Sequence, residues 1–137
     1  MTKEHINPPE LFPSLQYGFS QIVTSTGGKT VYLSGQVAWN ANRQIVGAGD
    51  LGIQTRAALK NITTALTIAG GSITDVVSMR IYIVEDVLAE DHHVGAALRE
   101  FFPPEHAPAT TWIGVRALAN KDFLVEIEAV AVIEEQT

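Results

Sequence analysis

The stretch Leu124–Ile133, which reads LVEIEAVAVI, decides the fold class of this chain. Its residues alternate with a period of two, which is typical of a β-strand that turns one face toward a core. The fold therefore contains a sheet whose apolar face must pack against something else. One face of this strand carries Val125, Ile127, Ala129 and Ala131, and the other carries Glu126, Glu128, Val130 and Val132.

Two amphipathic helices are available to cover that apolar face. Asp50 is a suitable N-cap for the first, and Gly70-Gly71 ends it. The second is predicted over Asp91–Phe102 and ends at Pro103-Pro104, because proline disfavours a helical residue before it. The inward positions are Leu51, Ala58, Ile62, Leu66 and Ala69 in the first helix and Val94, Ala97, Leu98 and Phe101 in the second.

The remaining strands give an element order of ββ(β)αβαββ. This order predicts an α+β fold with two helices on one face of a mixed β-sheet, in a single domain over residues 1–137. Gly27-Gly28 supplies the turn of a β-hairpin between the first two strands. The predicted strands are Phe19–Ser25, Thr30–Ser34, a short one at Gln44–Val46, Asp75–Val84 and Ala109–Val115.

Strand alternation also predicts which residues line the two faces of the sheet. The helix-packed face would hold Val31, Leu33, Val77, Met79, Ile81, Ile83, Ile113 and Val115. The opposite face would hold Tyr32, Ser34, Ser78, Arg80, Tyr82, Thr110, Trp112, Glu126 and Glu128. A monomer would expose the aromatic residues and valines of this second face, so we expect other copies of the chain to cover it.

Composition excludes several classes of function. Fifteen acidic residues against nine Lys and Arg give a net charge of −6, which disfavours partners such as nucleic acid and anionic membranes. The chain has no Cys, so thiol nucleophiles and thiolate metal sites are excluded. No apolar run approaches the roughly 20 residues of a spanning helix, and no signal core follows Met1. We expect a cytoplasmic protein without a membrane segment.

Four motifs stand in a fixed order along nearly the whole chain. They are Tyr32–Gln36 (YLSGQ), Gln54–Ile62 (QTRAALKNI), Phe101–Pro103 (FFP) and Val125–Ala131 (VEIEAVA). Together these motifs resemble the RidA/YjgF family of enamine and imine deaminases. The resemblance implies a chorismate-mutase-like fold, a homotrimer, and clefts between subunits that bind a small-molecule metabolite, with no metal and no organic cofactor.

The chain differs from active members of the family at the residue that binds the substrate carboxylate. Active members carry Pro-Ala-Arg before the last two strands, and its Arg binds the carboxylate of a 2-imino acid; here the element is Pro108-Ala109-Thr110. A neutral hydroxyl in place of a guanidinium should cost about 2–5 kcal/mol of binding to that carboxylate. Phe19 stands where the family has Tyr, and Gly95 stands where it has a cleft Asn.

The resemblance carries over a set of candidate site residues. Glu126 matches the family Glu that holds the attacking water, and Thr110 would orient the substrate. The leading hypothesis is a Rid-family protein that hydrolyses a C=N or related electrophile and has weak or no activity on 2-imino acids. The candidate substrate-binding residues are Phe19, Ser34, Gln36, Gly95, Thr111 and Trp112.

Two alternatives remain open at this point. The chain could be an active 2-aminoacrylate-type deaminase that takes its Arg from elsewhere, either from Arg80, from Arg99 or from Arg56 of a neighbouring subunit. It could instead be a non-catalytic module that senses a ligand or interacts with another protein. An endoribonuclease role fits poorly with the net charge of −6.

Overall fold

The strands form two sheets, and the larger one carries both helices on one face. The structure, a computed structural model, describes residues 1–135. The four-stranded sheet has the order β3-β6-β4-β5, with β4 and β5 parallel and the other pairs antiparallel, so the predicted α+β fold with a mixed sheet is confirmed. The elements are β1 Thr2–Ile6, β2 Ile22–Thr26, β3 Lys29–Gln36, α1 Leu51–Ala69, β4 Val76–Val84, α2 His92–Phe101, β5 Ala109–Val115 and β6 Val125–Ile133.

Helix α1 begins and ends where the sequence predicts. The side chain of Asp50 accepts a hydrogen bond from the backbone N–H of Ile53 at 2.9 Å, which satisfies one of the free N–H groups of the first turn. Gly70 closes the helix in the left-handed region, at a φ of 99°. The inward face is buried as predicted, except that Ala69 is only half-buried. Leu59, which the sequence analysis did not select, is also buried.

A buried amide ties α1 to the start of β6. The Gln54 side chain donates to the carbonyls of Gly47 and Asp122, at 3.2 and 3.0 Å, and accepts from the N–H of Leu124 at 2.9 Å. Because Gln54 is fully buried, these three bonds replace the water that its amide loses on folding. The sequence analysis did not foresee this role for Gln54.

The predicted β-hairpin around Gly27-Gly28 is wrong, although the turn itself forms. Both glycines have positive φ values, of 74° and 82°. The strands on either side of the turn belong to different sheets, because β2 pairs with β1 and β3 pairs with β6. The prediction failed because it assumed that neighbouring strands pair with each other, and the short polar strand Thr2–Ile6 gives no periodic signal.

Two smaller strand predictions also need correction. Gln44–Val46 forms no strand and contributes only an isolated bridge between Trp39 and Ile45. In β4 the register shifts between Val76 and Ser78, so Val76 is the fully buried residue there and Val77 is only partly buried. A bulge adds one residue to a strand, so strict alternation fails across it.

The predicted facing of β5 is off by one residue. Trp112 is paired with Ile81, and Thr110 with Met79, and both partners belong to the core face of β4. Ile113 instead lies beside Tyr82, whose neighbour in β6 is Glu126 on the opposite face. Periodicity could not settle the question, because β5 carries large apolar side chains on both faces.

The face of the large sheet that carries no helix is called the open face below. It bears Tyr32, which is 79% exposed, together with the carboxylates of β6. Glu128 accepts a hydrogen bond from the Tyr82 hydroxyl and lies 3.8 Å from Nη1 of Arg80. Neither helix within residues 1–135 has the length and apolar character that crossing a membrane requires.

Candidate functional site

The residues selected from the sequence fall into two groups in the folded chain. Five of them line one cavity of about 680 Å³, which lies between the N-terminal segment, β5 and α2 and is called the aromatic cavity below. Glu126 lines a second cavity of about 270 Å³ on the open face, together with Gly35 and Tyr82. Ser34 and Gln36 flank Gly35 in β3. The five residues of the aromatic cavity are Phe19, Gly95, Thr110, Thr111 and Trp112.

Four aromatic rings form the wall of the aromatic cavity. Phe12 lies edge-on to Phe19, with ring centroids 6.2 Å apart, and Phe19 contacts Trp112 at 6.1 Å. Tyr17 lies edge-on to Trp112 at 6.5 Å. A volume of about 680 Å³ with an apolar wall and a few polar groups is typical of a small-molecule site. The polar lining consists of Gln16, Gln21, Asp91, His92, Arg99, Thr110 and Thr111.

Gly18 allows the N-terminal segment to press against α2. Its φ is 93°, and a Cβ atom there would stand 2.6 Å from Cβ of Leu98, so no other residue fits without displacement. The hydroxyl of Ser14 donates to the carbonyl of Phe19 at 2.7 Å, and the N–H of Ser20 donates to the carbonyl of Pro108 at 3.0 Å. These contacts hold Phe19 beside the start of β5.

Gly95 leaves room over α2 for two larger groups. A Cβ atom on Gly95 would lie 3.4 Å from Nη1 of Arg99 and 3.5 Å from Cη2 of Trp112. The guanidinium and the indole edge therefore approach the same point on the helix. The Arg99 guanidinium also donates to the backbone carbonyl of Gln16, which joins α2 to the N-terminal segment.

Thr110 and Trp112 in β5 differ in whether their polar side-chain atoms have hydrogen-bond partners. The hydroxyl of Thr110 donates to the carbonyl of Pro108 at 3.1 Å. The indole Nε1 of Trp112 is buried and has no hydrogen-bond partner among the residues that the structure describes. An unpaired buried donor costs free energy, so this N–H is a destabilising feature of the isolated chain.

Glu126 lies half-buried on the open face, directly over Gly35. A Cβ atom on Gly35 would overlap Oε2 of Glu126 and stand 3.0 Å from its Cγ. Within residues 1–135 the Glu126 carboxylate accepts no hydrogen bond, whereas Glu128 is engaged by Tyr82 and Arg80. The hydrogen bond to Glu128 raises the pKa of the Tyr82 hydroxyl.

The two groups of site residues lie on opposite faces of the same sheet. Thr110 and Trp112 turn toward α2, and Glu126 turns toward the open face. One copy of the chain therefore cannot bring Glu126 to a ligand held by Thr110. Two copies can do so if the open face of one meets the aromatic cavity of the other.

Only one of the three candidate substitute arginines lies in the aromatic cavity. Arg80 is on the open face beside Glu128. Arg56 makes two hydrogen bonds of 2.8 Å to Glu100, and this pairing holds the pKa of the Glu100 carboxyl below its ordinary value. Arg99 lines the cavity with Thr110.

Sequence reasoning missed part of the cavity lining. Phe12 lies before the first predicted strand, and no pattern in the sequence marks it. The sequence analysis named Arg99 only as one of three arginines that could replace the family Arg. Arg99 follows Gly95 by four residues, and this spacing places both on one face of a helix. That spacing is the signal that could have selected it.

Comparison with known proteins identifies similar chains along most of the sequence. Residues 12–133 match the family model described as Endoribonuclease L-PSP. A 3-aminoacrylate deaminase, RutC of Acinetobacter baylyi, is 33% identical over 131 residues, which are 96% of this chain and 98% of that protein. A 2-iminobutanoate/2-iminopropanoate deaminase of Dermatophagoides farinae is 32% identical over 98% of this chain and its own full length.

A solved structure matches the fold closely. The Rid-family protein YyfB from Yersinia pestis superimposes with a TM-score of 0.91 at 40% identity, over 97% of this chain and 100% of that one. The match extends over the N-terminal segment, β5 and α2, the elements that build the aromatic cavity.

Proposed function

The chain belongs to the RidA/YjgF family, whose model is described as Endoribonuclease L-PSP, and we propose that it binds a small metabolite in clefts between the subunits of a homotrimer. The observation that carries this proposal is the placement of Glu126 and Thr110 on opposite faces of one sheet. A complete site then needs the open face of one copy and the aromatic cavity of another. Exposed Tyr32 on the open face supports the same assembly, because a partner subunit would cover it.

The chemistry that fits this site is addition of water to a C=N carbon. The Glu126 carboxylate, with no hydrogen bond inside residues 1–135, would accept a proton from the attacking water. The new C–O bond forms as the C=N electrons move to nitrogen, which takes up a proton. The hydroxyl proton of the resulting carbinolamine then passes to the nitrogen as the C=O bond forms and the C–N bond breaks, and the products are a carbonyl compound and ammonia or an amine. The similar proteins whose names specify imine or aminoacrylate deaminases support this reaction class.

The residue at position 110 distinguishes this chain from a deaminase of small 2-imino acids. Thr110 offers one neutral hydroxyl, and that hydroxyl already donates to Pro108. A guanidinium would offer a fixed charge and two parallel N–H donors matched to a carboxylate. We therefore expect weak or no activity on the imines of small aliphatic amino acids.

A coupled assay tests this proposal. An amino-acid oxidase generates imines from leucine or methionine, and semicarbazide traps the imine that remains. We expect the kcat/KM of this chain to be about 30- to 5,000-fold lower than that of a family member that carries the Arg. This ratio corresponds to a loss of about 2–5 kcal/mol in transition-state binding. A rate within a few-fold of that relative would overturn the proposal.

The placement of Arg99 favours a second candidate, in which this residue supplies the carboxylate contact and the chain is an active deaminase. The same assay separates the two candidates, because the second one requires a rate that falls sharply in Arg99→Gln. A non-catalytic sensor would instead bind ligand saturably, and Glu126→Gln would leave that binding unchanged.

A further inference from the structure

We propose that the aromatic cavity takes a carboxylate with an aromatic side group, and that Arg99 binds the carboxylate. The inference rests on the proposed function and names the class of metabolite that this chain holds. It makes Arg99 a specificity-determining residue in a cavity from which the family arginine is missing.

Arg99 has donors to spare at the cavity wall. A guanidinium carries five N–H donors, and only Nη1 of Arg99 is used, by the backbone carbonyl of Gln16. Arg56 and Arg80 are both paired with carboxylates, whereas Arg99 has no carboxylate partner within residues 1–135. A Cβ atom on Gly95 would touch Nη1 at 3.4 Å, so glycine leaves this side of the guanidinium uncovered. A ligand carboxylate can therefore form a charge-assisted pair with this guanidinium.

The wall beside Arg99 suits an aromatic group. Phe12, Phe19 and Trp112 are arranged edge-on or tilted to one another, with centroids 6.1–6.2 Å apart, which is the geometry that aromatic rings prefer.

The acidic group in the cavity does not cancel the charge of Arg99. Asp91 lies at the start of α2, eight residues before Arg99, which is about 12 Å along the helix axis. His92 lies at that same end. A carboxylate is therefore favoured at the Arg99 end, and repulsion from Asp91 disfavours the reversed orientation.

Fluorescence titration of Trp112 in a Trp39→Phe background tests the inference. The probes are phenylpyruvate, its neutral amide, and 2-oxobutanoate, which has the carboxylate without the ring. We expect phenylpyruvate to bind at least about tenfold more tightly than either of the others. Arg99→Gln should weaken phenylpyruvate binding by about tenfold or more and leave the amide unchanged, and Arg99→Lys should lie between them. Arg116→Gln, at an exposed arginine outside the cavity, is the matched control.

The outcomes separate the inference from the proposed function. If phenylpyruvate and its amide bind equally, or if Arg99→Gln behaves like Arg116→Gln, Arg99 does not bind the carboxylate and the inference is overturned. If 2-oxobutanoate binds more tightly than phenylpyruvate, the aromatic class is wrong while the proposed function stands. If no probe binds to an assembled trimer, both are overturned.

Discussion

The carboxylate of Glu126 lies over the bare backbone of Gly35, where a Cβ atom would overlap Oε2. The Ser-Gly-Gln motif of β3 and the Glu-Ile-Glu motif of β6 are thus in contact, although about 90 residues separate them in the sequence. Because Gly35 has no side chain, it leaves the room that the Glu126 carboxylate occupies.

Gly35→Ala should displace the Glu126 carboxylate with little loss of stability. The added methyl group meets the end of a flexible side chain, so we expect the free energy of unfolding to fall by no more than about 1 kcal/mol. Urea denaturation measures that change, and a crystal structure of the variant locates the carboxylate. A loss of several kcal/mol would show that Glu126 cannot move, and the interpretation of Gly35 as a spacer would then fail.

Two equally exposed apolar residues offer a matched test of assembly. Tyr32 is 79% exposed on the open face, and Ile68 is 83% exposed on α1. If the open face is a subunit interface, Tyr32→Glu should shift the protein from trimer to monomer at micromolar concentration. The reason is that assembly would bury the unpaired charge of the new carboxylate. Ile68→Glu should leave the trimer intact. Light scattering measures both, and a monomeric wild-type protein would refute the homotrimer.

Thr110→Arg should recover only part of the imine deaminase activity expected of relatives that carry the Arg. The new guanidinium stands at the position where the family carries its Arg, but Phe19 and Gly95 leave the rest of the cavity unsuited to small aliphatic substrates. In the semicarbazide assay we expect a gain of about tenfold in kcat/KM for the leucine imine. No gain at all would indicate that Thr110 does not face the substrate carboxylate.

One of the three tyrosines should titrate later than the others. The hydrogen bond to Glu128 raises the pKa of Tyr82, so its folded form favours the neutral hydroxyl. The stability from this bond is present below the unfolded pKa of about 10 and is lost as pH rises through the raised folded value. Absorbance at alkaline pH should show a late step that Tyr82→Phe removes. Glu128→Gln should restore ordinary titration, and an unchanged curve would contradict the assigned cause.

Gln54→Ala should destabilise the fold by about 2–4 kcal/mol, because it takes the amide partner from the carbonyl of Asp122 and the N–H of Leu124 and leaves a cavity where the fully buried side chain was. Thermal or urea unfolding measures the loss. Gln16→Ala removes an exposed glutamine with one local hydrogen bond and is the matched control. Equal effects in both variants would mean that water replaces the buried amide.

The amino-acid sequence by itself determined the helices, five of the six strands described and the family. Asp50, Gly70 and the alternation of Val125–Ile133 act through local geometry, so their consequences can be derived without knowing the rest of the chain. The motifs also selected five residues that line one cavity.

Only the tertiary structure decided how strands pair across the chain and which face β5 turns toward α2. Trp112 lies on the helix side of the sheet because its partner in the parallel β4–β5 pair is Ile81. The sequence of β5 does not predict this register, because both faces of this edge strand carry apolar side chains. The same register separates Glu126 from Thr110 and places Arg99 beside Trp112. Local periodicity cannot supply such relations, because they depend on contacts between residues far apart in sequence.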